Sequence, residues 1–347
     1  MNSRRPTLKD VAGAARVHYS TVSLALRDHP SIPARTRARI RRVAEKLGYI
    51  ANPAMAALSR FRTQSRVRFV TPRIAYLLNQ TPEVVGELPA RHQHFLNGAR
   101  RQARTLGFDL ETMFVTEDHL DAERLGQELH TGAVQGIIIG AFEPGYAGVA
   151  LDWDRFAVVK IDSQHLPLEA VCVSSDQLHN ARLAVQRLTA LGYRRIGLAV
   201  DRAEEDATNQ RHVAGWLIEQ EAWPAEFRVP PLLFPYNASA EAASGLLGRW
   251  IARHQVDAVL CSWPSVVDLL HRANLAVPEQ VACACLRLID ADGRIAGVAP
   301  RLEVVGAKAV SLLAAQMRAG RLGFSSFASA TYVEGSWHDG ATAPPRT

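Results

Sequence analysis

From Arg73 to about residue 295, short apolar runs alternate with amphipathic stretches, and this alternation limits the possible folds more than any other feature. Residues 74–78, 110–115, 136–140, 157–161, 171–173, 195–200, 232–234, 258–261 and 281–286 have strand character. Residues 95–106, 120–129, 176–191, 211–221, 240–254 and 267–274 have helical spacing. Apolar strands separated by helices form parallel sheets covered on both faces. The stretch is long enough for two such sets, so two α/β lobes are expected. Ligands of open parallel sheets bind outside the strand C-termini, which places a site in the cleft between facing lobes.

The front of the chain differs in kind. Residues 1–73 hold 16 Lys/Arg against 3 Asp/Glu, whereas the remainder holds 24 against 31. A basic head on an acidic body suits nucleic acid. A solvated basic tail would carry the same charge without periodicity, and here periodicity is present. Thr7 with Asp10 three residues on approximates a capping box, and Leu8, Val11, Ala12 and Ala15 share one helical face. Tyr19, Val22 and Leu26 mark a second helix, which Asp28-His29-Pro30 stops. Ile40, Val43, Ala44 and Leu47 mark a third, ending at Gly48. Two short helices joined by a three-residue turn form a helix-turn-helix, whose second helix enters the major groove. Asn52-Pro53 then opens another helical piece, too short to be stable alone. Arg60, Arg62, Arg66 and Arg68 follow as a basic linker able to neutralise phosphates.

Thr7-Leu8-Lys9-Asp10-Val11-Ala12, Tyr19-Ser20-Thr21-Val22-Ser23 and Leu47-Gly48-Tyr49-Ile50-Ala51-Asn52-Pro53 resemble, in this order and spacing, the head of LacI/GalR-type transcriptional regulators. The resemblance implies an all-α helix-turn-helix head on a body of two lobes like those of periplasmic sugar-binding proteins. It implies a head over residues 1–51, a hinge helix and linker over 52–72, and an effector-binding and dimerisation domain over 73–347. The lobes are expected near 73–162 and 163–295, with the chain crossing back within 295–347. Tyr19 and Ser20 fall at positions like the family's first base-contacting residues. Leu24 falls where many members carry a polar reader; it either touches a thymine methyl or tucks into the head's core. Thr7, Thr21, Ser23 and Asn52 suit phosphate contact or capping. His18 stands where the family often has a capping Ser, and either reaches a phosphate or caps more weakly. Met55 and Leu58 belong to the piece resembling the hinge helix, with Leu58 like the leucine wedged into a minor-groove step. A linker whose Leu58 packs on the body is the alternative.

In the body, Leu191-Gly192-Tyr193-Arg194-Arg195-Ile196 looks like the opening of the family's second lobe, and Arg211-x-x-x-Gly215-Trp216 like its next motif. The resemblance places Arg211 toward an effector; a surface or interlobe ion pair is the other reading. His94, beside His92, and Phe95 fall near the first-lobe cleft. Three departures bear on ligand chemistry. Cys285-Leu286-Arg287-Leu288 stands where a carboxylate-bearing run is expected, Trp263-Pro264 replaces an Asn-Asp pair, and Ala299-Pro300-Arg301 replaces a Gln or Asp. Trp263 either stacks on a ligand face or is structural. Two arginines, Arg211 and Arg287, without the expected carboxylate suit a sugar acid or phosphate.

No hydrolase, P-loop or zinc-protease signature is present, so no enzyme, cofactor or metal is expected. The four cysteines lack C-x-x-C spacing, no apolar run approaches a bilayer span, and Met1–Pro6 leads into polar sequence, so a cytoplasmic protein is expected. The expected partners are palindromic double-stranded operator DNA, a carbohydrate-like effector and a second copy of the chain. A solute-binding protein, or an α/β enzyme fused to a DNA-binding head, are the rival readings.

Overall fold

The computed structural model describes residues 6–26, 31–47, 49, 71–79, 88–115, 122–142, 151–236, 238–263, 265–289, 291–325 and 327–346. The chain divides into two compact units, 1–70 and 71–347. Asn52, Met55 and Leu58 of the expected hinge lie outside the described residues.

The head contains α1 (Leu8–Ala15), α2 (Tyr19–Leu26) and α3 (Ala34–Lys46). Thr7 opens α1: its backbone N–H and its hydroxyl donate to the Asp10 carboxylate at 2.7 and 2.6 Å. Arg16, in the left-handed region at φ 50°, closes it. Val11, Ala12, Ala15, Val22, Ala25, Ile40 and Ala44 bury together as a small core. Val11, Val22 and Ile40 are fully buried, each stabilising the head by about 1.5–3 kcal/mol relative to exposure. Leu47, expected on the inner face of α3, is exposed instead, because the helix ends before it.

Among the described residues the body holds two six-stranded sheets. The first contains β1 (Arg73–Leu78), β2 (Asp109–Phe114), β3 (Val134–Ile139), β4 (Ala157–Ile161), β5 (Val171–Ser175) and β11 (Ala330–Val333). The second contains β6 (Ile196–Asp201), β7 (Leu232–Phe234), β8 (Ala258–Cys261), β9 (Ala282–Cys285), β10 (Ala296–Ala299) and β12 (Ser336–His338). The strand orders, β11-β5-β4-β3-β1-β2 and β12-β10-β9-β8-β6-β7, repeat one pattern. Every pairing is parallel except β10 with β12. Strands such as β1 and β4 are buried on both faces, as the continuous apolar runs require.

The helices between strands are α4 (Ala90–Leu106), α5 (Ala122–Thr131), α6 (Gln177–Ala190), α7 (Arg202–Ala207), α8 (Arg211–Glu221), α9 (Ala240–His254), α10 (Val266–Arg272) and α11 (Leu302–Ala319). α4 starts five residues before the stretch expected from periodicity, with Pro89 as its N-cap. The first lobe continues past residue 162, because β5 belongs to the first sheet, and the chain leaves it at Asp176. It then returns: α11 packs on α4, β11 joins the first sheet, and β12 joins the second. Glycine permits the α4–α11 contact. A Cβ on Gly98 would lie 1.9 Å from the Glu303 carbonyl oxygen, and one on Gly306 2.0 Å from that of Phe95.

Candidate functional site

In the head, α2 is held by Val22 and Ala25 and turns its N-terminal residues outward. Tyr19 is 53% exposed, and Ser20 is also exposed. His18 supplies the cap. Its carbonyl accepts from Thr21 N–H at 2.9 Å, and its Nδ1 lies 2.8 Å from Ser20 Oγ and 3.4 Å from Ser20 N. The imidazole therefore does for α2 what a serine hydroxyl does elsewhere, satisfying an otherwise unpaired N–H. Its ring also packs at 4.3 Å on the Tyr19 ring, which limits the freedom of that exposed side chain. Thr21, Ser23 and Leu24 are half-buried, and Thr7 is committed to the α1 cap. Arg35, Arg39, Arg41 and Arg42 lie exposed along α3.

In the body, a cavity of about 420 Å³ opens between the C-terminal ends of the two sheets. The first lobe contributes Arg91 and His92 from the first turn of α4, Phe142, which follows β3, and Asp162, which follows β4. The second contributes Asp201 and Glu204 around the start of α7, Trp263 after β8 and Arg287 after β9. A narrower pit shares Asp162, Glu204 and Arg287 and reaches Gln177, Asn180 and His212.

An ion pair lies in this cavity, and its other carboxylates accept from neutral donors. Arg287 Nη1 lies 3.3 Å from Glu204 Oε1, and its Nε donates to the Ser262 carbonyl at 3.1 Å. Burial alone would raise the Glu204 pKa, but Arg287, His212 and Arg91 together hold it below the usual carboxylate value. Asp162 accepts hydrogen bonds from the Ser174 hydroxyl, from Ser175 N–H at 3.2 Å and from Gln177 Nε2 at 3.5 Å. Burial outweighs these bonds and pushes its pKa up. Asp201 caps α7, accepting from Ala203 N–H at 2.7 Å. Behind Glu204, His212 Nδ1 lies 2.6 Å from Glu205 Oε1, both side chains being 1% exposed. Burial would lower the His212 pKa, but the adjacent Glu205 carboxylate lifts it above the ordinary value.

Of the residues expected at an effector, Trp263 and Arg287 line the cavity, while His94, Phe95 and Arg211 do not. Because α4 begins at Ala90, its first turn, not its second, meets the cavity. His94 points to Glu303 on α11, 3.8 Å away, and Phe95 is buried in the first-lobe core. Arg211 turns to Asp176 and to the ring of Tyr332, leaving the adjacent His212, about 100° further round α8, to face the pit. The run Cys285-Leu286-Arg287-Leu288 brings no carboxylate to the cavity, but Asp162, Asp201 and Glu204 supply three from other elements. Asp162 and Asp201 stand at strand C-termini, where the rule for open parallel sheets would have found them. Glu204 lies on α7, a helix that periodicity did not reveal. Trp263 is half-buried against Phe234, ring centroids 4.9 Å apart, and still lines the cavity.

Among the described residues, no cluster of His, Cys, Asp or Glu could hold a metal ion, and no helix is long and apolar enough to cross a membrane.

Residues 7–52 match the model of bacterial regulatory proteins of the lacI family. The HTH-type transcriptional regulator GntR of Pseudomonas aeruginosa is 42% identical over 81 residues, which span 23% of this chain but only 24% of that protein. An HTH-type regulator encoded in the aml 5′ region of Streptomyces limosus is 28% identical over 260 residues, 70% of this chain and 67% of that protein. Among solved structures, the CelR–cellobiose complex superposes with a TM-score of 0.58 at 19% identity, covering 97% of this chain and all of that one. The lac repressor dimer bound to operator and the anti-inducer ONPF gives 0.57 at 16% identity over 98% of this chain and 100% of that one. These structures share the fold of head and bilobed body, and residues 7–52 are similar to the head of the lacI-family regulators.

Proposed function

We propose that this chain is a sequence-specific DNA-binding transcriptional regulator, acting as a repressor and as a cytoplasmic homodimer, with a small polyhydroxylated effector in the cleft. The observation that carries the reading is α2 of a lacI-family head, anchored by Val22 and Ala25 and presenting Tyr19 and Ser20 outward. One head reads few base pairs, and two heads on a two-fold axis read a palindrome. Tyr19 and Ser20 contact base edges, while Thr21, Ser23 and the α3 arginines position the head on phosphates. Leu24 lends apolar contact, Asn52 serves as a phosphate or capping residue, and Met55 and Leu58 of the hinge segment meet the minor groove.

The cleft favours a neutral sugar over a sugar acid. Arg91 and Arg287 share the cavity with Asp162, Asp201 and Glu204, and Arg287 is already paired with Glu204, so an anion would meet repulsion as well as attraction. Carboxylate oxygens accept from hydroxyls, and Trp263 with Phe142 offers apolar faces to a ring. Cellobiose accompanies a structure of this fold, which supports a carbohydrate ligand here. Ligand closure of the lobes changes the hinge and so the affinity for DNA, a coupling between two distinct sites. The absence of recognised catalytic signatures in the sequence and the regulator relatives support binding over turnover.

Selection of bound duplexes from a randomised pool tests the reading. A two-fold symmetric consensus is expected; absence of any enriched sequence, even at low salt, would refute it.

A further inference from the structure

Arg211 does not line the cavity, and its surroundings give it another task. The chain passes between the lobes at Asp176, between β10 and α11, and again between β11 and β12. The first and third passages run side by side. Asp176 N–H donates to the Val333 carbonyl at 2.8 Å, and Gly335 N–H donates to Asn180 Oδ1 at 2.9 Å. Arg211, the first residue of α8 in the second lobe, reaches both. Its Nη2 donates to Asp176 Oδ1 at 2.9 Å, and its guanidinium lies 4.0 Å from the ring centroid of Tyr332 on β11, a strand of the first sheet. The same Asp176 oxygen caps α6 by accepting from His179 N–H at 3.1 Å. Arg211 and Asp176 are only 20% and 18% exposed, so water competes weakly for either contact. A planar guanidinium can stack on a ring while donating in its own plane; a lysine ammonium cannot do both.

We propose that Arg211 is a positioning residue, a latch that holds the second lobe against the paired passages and fixes the lobe orientation in which the cavity residues meet. Through Asp176 it also steadies Ser175 and Gln177, whose N–H groups reach Asp162 on the cavity wall. The bearing of the latch on ligand response rests on the regulator reading above; the latch itself does not.

Hydrogen exchange on the full chain, without ligand or DNA, tests it. In Arg211→Met, the amides of Asp176 and Gly335 are expected to exchange about tenfold faster, while those of β6 and β8 stay unchanged. Tyr332→Leu should produce the same pattern more weakly. Arg211→Lys should restore part of the protection at Asp176, by charge, and less at Gly335. Wild-type protection at both passages in Arg211→Met would overturn the proposal. So would an equal loss across β6 and β8, which would mark Arg211 as generally structural. Since neither DNA nor effector takes part, failure of the regulator reading would leave this result untouched.

Discussion

The head and the cleft are built in opposite ways. In the head, each outward residue sits within a few positions of what holds it: His18 caps Ser20, its ring supports Tyr19, and Val22 anchors the same helix. In the cleft, partners come from separate segments: Glu204 meets Arg287, and Asp162 meets Ser175 and Gln177. A locally built site keeps its side chains free for a partner. A site assembled across elements spends its charges on one another first, and what remains for a ligand is set by those pairings.

The largest expected effect tests that interdependence. Glu204→Gln removes the carboxylate 3.3 Å from Arg287 and should destabilise the body by about 3 kcal/mol, with head unfolding unaltered. The double variant Glu204→Gln/Arg287→Met should regain much of the loss. Chemical denaturation followed by body tryptophan fluorescence reads both, and additive losses would mean that the two charges are independent. Next comes the head. Tyr19→Ala should weaken binding to a selected duplex by about 1–3 kcal/mol, measured by anisotropy, with body stability and sugar affinity unchanged. A loss of body stability in this variant would erase the distinction between local and distributed sites. Trp263→Leu removes a ring face from the cavity and should cost about 0.5–1.5 kcal/mol of sugar binding by calorimetry.

The smallest effect is a slope in pH. Glu205 lifts the His212 pKa, so the pair's contribution is full below the ordinary histidine value of 6.5 and is lost as pH rises through the higher folded value. Asp162, also raised, adds to the decline as pH climbs above 3.8, whereas Glu204, lowered, protects the fold until pH falls below 4.5. Melting temperature should therefore fall as pH rises above 6.5, and His212→Gln/Glu205→Gln should flatten that fall. An unchanged slope in the double variant would remove the pair from the explanation.

This division also decides what the sequence discloses. The three head helices were legible because their signals are local: Thr7 with Asp10, i to i+4 apolar spacing, and Pro33 before α3. Strands such as β6 and β8 were legible as continuous apolar runs, and α8 and α9 appeared at their observed bounds. α11 was not recognised, although it is long, because its apolar residues serve both α4 and the sheet and leave no clean stripe. The return of the chain through β11 depends on pairing with β5 more than 150 residues away, and β12 pairs with β10 across the whole of α11, separations that no local pattern encodes. For the same reason Arg287 was legible as a cleft residue while its partner was not. Arg211 and His212 differ by one position, and only helix phase tells which of them faces the pit.

The most direct measurement is the affinity of the full chain for a duplex it has itself selected, followed by anisotropy during titration with neutral sugars and the corresponding sugar acids. A neutral sugar should shift that affinity by about 5- to 150-fold while the acids leave it nearly unchanged. A response confined to the acids, or to none of the sugars, would contradict a body whose paired charges receive an uncharged polyol and whose closure governs the head.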